Sequence, residues 1–223
     1  MTVPGADVRT TFDERNGCEA LQQLIVRFGR GRAQPPAVER GEAVLYVASG
    51  HGMMELDGET HELEPETAIA LKAGDAPTFV NDTDEDLVLV VVIAPDSSAS
   101  NGAPTKRVVR YSEQPEEEAS EERSFRYLIT DGEITQFMGI VQPSKAPFHS
   151  HPYDEVGYVV EGQGIAHMDG EETPLRAGSC FHLPPGKVHC IENSGPGPMR
   201  IMGVFHPAGS PANRSYQDNN GGE

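Results

Sequence analysis

Between residues 149 and 193 the chain places His149, His151, Glu155 and His189 in a pattern suited to holding a metal ion. His149 and His151 lie two apart, so on a strand their side chains share one face. Glu155 keeps that parity if the strand or a bulge continues. His189 follows the turn-forming run Pro184-Pro185-Gly186 and belongs on another strand. Three neutral imidazoles and one carboxylate make a shell for a divalent transition metal, and Fe, Mn, Ni, Co and Zn all accept it. Four protein ligands on an octahedral ion leave two positions for water, substrate or dioxygen, as a catalytic site requires. Without an ion, the same groups inside an apolar barrel would be buried polar groups lacking partners. Glu155, held by a single metal bond, can also take a proton, which makes it a candidate catalytic base.

Other side chains nearby read differently. His182 shares its face with Cys180 and is carried as a second candidate catalytic group, a proton relay or a partner to a ligand. His167 sits beside the Asp169-Gly170 turn and reads as a solvent-exposed histidine at a strand end. Phe148 alternates with the ligands, as barrel wall would. Lys145 reads as a solvated lysine. Cys190 adjoins His189 on the strand and should point away from the metal.

The elements that must position these groups come in two copies. Residues 37–95 align with residues 149–207 at a constant offset of 112, with 14 identities in 59 positions and no gap. Val44, Tyr46 and Val47 match Val156, Tyr158 and Val159, and Asp57-Gly58-Glu59 matches Asp169-Gly170-Glu171. Two copies are too few for a solenoid and point to two similar domains. Short runs rich in β-branched residues, such as Leu87–Ile93 and Val156–Val160, are separated by Gly, Pro, Asp and Asn turns. Both Asp-Gly pairs signal hairpins. The strongest helical pattern is the short stretch Cys18–Val26. Each unit therefore reads as an all-β barrel or sandwich. The division expected is residues 1–98, a connector over residues 99–123 that ends in an acidic run, and residues 124–223, with a frayed end from Ser215.

Composition narrows the partners. The chain of 223 residues carries 35 acidic and 17 basic side chains, a formal charge of −18. Phosphate would repel it, which argues against nucleic acid and anionic membranes. The longest apolar run, Leu87–Ala94, is too short to span a bilayer. No secretory signal is visible, and three cysteines with no Cys-x-x-Cys pair suit reduced thiols, so a cytoplasmic location is expected.

The spacing His-x-His-x3-Glu-x6-Gly over residues 149–162, with Gly-x5-Pro-x-Gly-x2-His-x3-Asn over residues 178–193, resembles the two-part signature of the cupin superfamily. One departure is Pro143, where the family carries a glycine. With the repeat, the whole chain resembles a bicupin: two tandem jelly-roll β-barrels. At the same offset the first unit has Ala37, Glu39, Ala43 and Pro77 where the second has its ligands. It resembles a degenerate cupin without metal, so one divalent metal per chain is expected.

The resemblance implies a metal-dependent enzyme acting on a small oxygenated organic molecule, a dioxygenase first. Quercetinase-like cupins show that chemistry. Cupins of oxalate metabolism share the architecture, but their decarboxylase members generally keep metal in both halves. A non-redox isomerase, cyclase or decarboxylase, and a non-catalytic small-molecule binder, are the alternatives. Unpaired sheet edges and apolar faces suggest a homodimer, or two barrels within one chain packed as a cupin dimer would be.

Overall fold

A computed structural model describes residues 5–34, 38–95 and 106–216. Among them the chain is almost wholly β, and its only helical pieces are single 3-10 turns at Glu14–Asn16 and Tyr111–Glu113. Two tandem barrels account for the strands. In the first, a sheet containing Gln22–Phe28, Leu87–Ala94, Glu42–Ser49 and Thr67–Lys72 faces a smaller one of Gly31–Ala33, Thr78–Asn81, Gly52–Leu56 and Glu59–Leu63. In the second, a sheet of Arg123–Ile129, Thr135–Val141, Met199–His206, Asp154–Glu161 and Cys180–Leu183 faces one built on Gln163–Met168, His189–Asn193 and His149–Ser150.

Strand register repeats at the sequence offset. Ala43 pairs with Leu71 and Ile93, and Glu155, 112 positions on, pairs with Leu183 and Phe205. Asp57-Gly58 and Asp169-Gly170 all have positive φ, the backbone a type I′ hairpin needs. Asn81 and Asn193 serve as matching clamps. Each donates its amide to two backbone carbonyls and accepts a backbone N–H two residues on. At Gly50 and Gly162 positive φ coincides with a crossing strand so close that a Cβ would lie 2.3 Å and 2.8 Å from its backbone.

The two barrels pack back to back. Val44, Tyr46, Val90 and Val92 of the first join Met138, Val156, Met202 and Val204 of the second in one buried apolar cluster. Reciprocal hydrogen bonds cross it: Gln23 donates to Gly157 O (3.4 Å), and Gln136 donates to Leu45 O (3.5 Å). This is the exchange expected of two equivalent faces meeting about a two-fold axis. The apolar face that suggested a second chain is thus covered within one chain, and a homodimer would form elsewhere.

Three local expectations change. Cys18–Val26 is not helical; Gln22–Phe28 is a strand held between Ala6–Phe12 and Leu87–Ala94. Leu24, Val26 and Phe28 face the first barrel's interior, while Gln23 and Ile25 on the other side face the second barrel. The stretch read as a connector carries strands at both ends of its described part: Val108–Arg110 pairs with the first barrel, Glu117–Ser120 with the second. Residues 96–105 lie outside the described residues. At the C-terminus, Ser215–Tyr216 is not frayed; it pairs with His149–Ser150. Residues 217–223 lie outside the described residues. No helix among the described residues is long and apolar enough to cross a membrane.

Candidate metal centre

Both sheets of the second barrel supply the site. His149 lies on a short strand opposite His189, and His149–Ser150 and His189–Asn193 belong to the same sheet. The chain then turns a corner at residues 151–153 and enters Asp154–Glu161 in the facing sheet, carrying Glu155. The corner is pinned where Gly186 N–H donates to His151 O (2.8 Å), which ties the two motif halves together. Simple strand parity does not describe this path. A sheet switch, not a continuous strand, brings Glu155 to the histidines.

His149, His151, Glu155 and His189 all line one cavity of about 90 Å³. All four residues are buried. The ligating atoms of His151, Glu155 and His189 lie within 4.8 Å of one another. His149 stands outside that set of three, with its ring centroid 4.6 Å from that of His189. Each histidine presents Nδ1 to a backbone carbonyl: His149 to Pro147 (3.1 Å), His151 to Tyr153 (3.0 Å) and His189 to Lys187 (2.8 Å). A carbonyl only accepts, so Nδ1 carries the proton and the Nε2 lone pair is left for the cavity. This fixed tautomer is the arrangement that metal-bound histidines use, and the donor set fits a divalent ion.

Electrostatics agree. Burial pushes His149 down from 6.5 to about 4, so its ring is neutral at pH 7. Burial likewise lowers His189. His151 and Glu155 form a pair, Nε2 to Oε2 at 2.6 Å. Burial opposes charge on both, but their mutual hydrogen bond and charge outweigh it, raising His151 and lowering Glu155. A divalent cation held by His149, His151, Glu155 and His189 would take the place of the His151 proton in this balance.

His182 is not in the cavity. Phe181 and Leu183 on either side of it line the wall, so His182 points to the opposite face, between the barrels. There its Nε2 meets Asp154 Oδ1 at 2.5 Å, and the Phe12 ring lies 5.8 Å away. Cys18 completes this buried group. The catalytic role expected of His182 is therefore withdrawn. His167 is buried rather than exposed, between Glu192 (2.8 Å) and Glu172 (3.3 Å). Phe148 is exposed rather than wall, beside His167 and Lys145. Cys190 does point away from the ligands, toward Ala146 O.

The remaining wall is apolar, including Phe125, Phe137, Phe181, Leu183, Ile201 and Phe205, with Arg123 and Arg214 beside the ligands. These two arginines were not legible in the sequence, because neither belongs to a motif. In the first barrel the described residues lining the equivalent cavity are Leu24, Val26, Val38, Ala43, Leu45, Leu71, Val91 and Ile93, all apolar. Glu39 is exposed and Pro77 buried there, and Ala37 lies outside the described residues.

A model of the cupin domain matches residues 24–93 and again residues 137–205. The chain is 39% identical over 82 residues to the polyketide synthase protein CurC of Streptomyces cyaneus, covering 35% of this chain and 52% of that protein. It is 31% identical over 63 residues to an oxalate-binding protein of Thermotoga maritima, covering 28% and 52%. The chain thus spans about half the length of these curated relatives. A variant of Bacillus subtilis oxalate decarboxylase superposes with a TM-score of 0.75 over 96% of this chain and 75% of that one, at 14% identity, which marks a shared fold. With the same domain recognised in each barrel, over more than half its length, the chain belongs to the cupin family as a bicupin.

Proposed function

We propose that the second barrel is a metal-dependent catalytic centre for a small oxygenated organic molecule, and that its reaction is a dioxygenation. The observation that carries this is the convergence of His149, His151, Glu155 and His189 on a cavity whose other walls are mostly apolar, with Arg123 and Arg214 at one side. A bound transition metal would supply Lewis acidity and a site where dioxygen and substrate meet. Among the described residues Glu155 is the one carboxylate lining the cavity, so it is the group able to take a proton from a substrate hydroxyl there. The described residues of the wall carry no second carboxylate, and no imidazole beyond His149, His151 and His189, so chemistry that needs a single deprotonation fits better than chemistry needing a proton relay. The phenylalanine and leucine wall excludes water from the reacting atoms.

A non-redox reaction is the second reading, favoured by the likeness to oxalate decarboxylase and to a polyketide synthase protein. Oxygen uptake decides between them. Purified protein loaded separately with Fe(II), Mn(II) or Ni(II) is screened against enediols, β-diketones and catechols, with and without air. Substrate-dependent oxygen consumption is expected; turnover of equal rate under argon would overturn dioxygenation. Binding with no turnover under either condition would place the chain among non-catalytic cupins.

A further inference from the structure

Two positive charges in the cavity are left unexplained by the metal. Arg123 and Arg214 line it together with His149. In a chain with 35 acidic and 17 basic side chains, arginines readily find carboxylates. Arg107 pairs with Asp75, Arg126 with Glu116 and Arg200 with Glu66. Among the described residues, neither Arg123 nor Arg214 has a carboxylate within salt-bridge reach. Arg123 is only 9% exposed, and its Nη2 donates to Ile191 O (2.7 Å). Its burial, and then the like charge of Arg214, weaken its hold on its proton. Glu155, the carboxylate in the cavity, is already engaged with His151.

A buried guanidinium facing a second one is costly unless an anion sits between them. The planar fork of each matches a carboxylate with two parallel hydrogen bonds. We propose that Arg123 and Arg214 form an anion subsite beside the metal centre, and that the substrate is therefore a small organic carboxylate. The orientation of its reacting oxygen toward His149, His151 and His189 rests on the metal-centre reading above; the anion subsite itself does not. Arg123 is fixed on the strand Arg123–Ile129. Arg214 immediately precedes Ser215–Tyr216, whose pairing with His149–Ser150 lays the C-terminal segment against the ligands. Asn213 donating to Tyr153 Oη (2.8 Å) and Gly209 N–H donating to Thr135 Oγ1 (3.0 Å) hold that segment down. The C-terminal segment thus completes the subsite by delivering the second guanidinium.

The test is isothermal titration of the zinc-loaded chain with malonate and with its neutral isostere malonamide, alongside zinc content by elemental analysis. Malonate should bind at least about tenfold tighter than malonamide, as charge-assisted hydrogen bonds require. Arg214→Gln should lose about tenfold or more in malonate affinity with zinc content unchanged, and Arg214→Lys should recover part of it. Arg214 carries the decisive variant because Arg123→Gln, at a buried position, can fail to fold. Equal binding of malonate and malonamide would overturn the subsite, as would wild-type malonate affinity in Arg214→Gln. If the wild type takes up no zinc, the metal reading fails on its own. Arg214-dependent binding of malonate to the metal-free chain would then still support the subsite, and its absence would overturn it.

Discussion

Asparagine at position 149 removes a titrating ring while keeping a polar group beside Pro147 O. In the folded chain burial holds the His149 imidazole at about 4, against 6.5 for the free group. Between those values the unfolded chain carries a proton that the folded chain does not, so acid favours unfolding. The contribution is nil above pH 7 and grows as pH falls, levelling off below pH 4. At pH 5, between those two values, it has reached about 2 kcal/mol. Carboxylates and histidines remote from position 149 titrate alike in both proteins and cancel in the difference, and the coupling of His149 to His189 and Glu155 ranks below its burial. The assay is urea unfolding of metal-free wild type and His149→Asn from pH 7.5 to pH 5. The stability of wild type relative to the variant should fall by about 2 kcal/mol over that range. A difference that is flat, or that rises as pH falls, would refute the picture of a buried, neutral His149.

Two further outcomes follow from packing and from the face His182 occupies. Gly157 lies under the Phe181 ring, where a Cβ would sit 2.1 Å from the nearest ring carbon. Gly157→Ala should cost about 1–3 kcal/mol in thermal or urea unfolding and push Phe181 into the cavity; a cost below about 0.5 kcal/mol would contradict that contact. His182→Asn should destabilise by about 2 kcal/mol, because Asp154 is buried and loses its imidazole partner, while metal content stays at the wild-type level. Loss of metal from a stably folded His182→Asn would return His182 to the site.

Much of this organisation was legible in the residues. The repeat at an offset of 112 appears in the paired strands themselves, since Ala43 and Glu155 occupy equivalent ladder positions. The candidate metal ligands were legible because the chemistry of such a site restricts both residue type and spacing. What stayed hidden depends on which way a side chain faces when both faces of a sheet are buried. Cys180–Leu183 alternates between the cavity and the other barrel, and no polar face marks which is which. The same burial on two sides disguised Gln22–Phe28, since its apolar residues cover the first barrel's interior and a packed back face. Arg123 and Arg214 come from opposite ends of the second barrel's sequence, and the pairing of Ser215–Tyr216 with His149–Ser150 helps bring them together. A two-residue strand of that kind leaves no periodic trace.

Metal stoichiometry measures the central claim most directly. Wild-type protein loaded with zinc, freed of loose ions by gel filtration and analysed by mass spectrometry of the elements, should hold one ion per chain. The His151→Ala plus His189→Ala variant should hold none while keeping its β-sheet circular dichroism, since both rings face a cavity rather than the packed core between the barrels. Two ions per chain in wild type, or one retained by the folded double variant, would contradict a single metal centre in the second barrel.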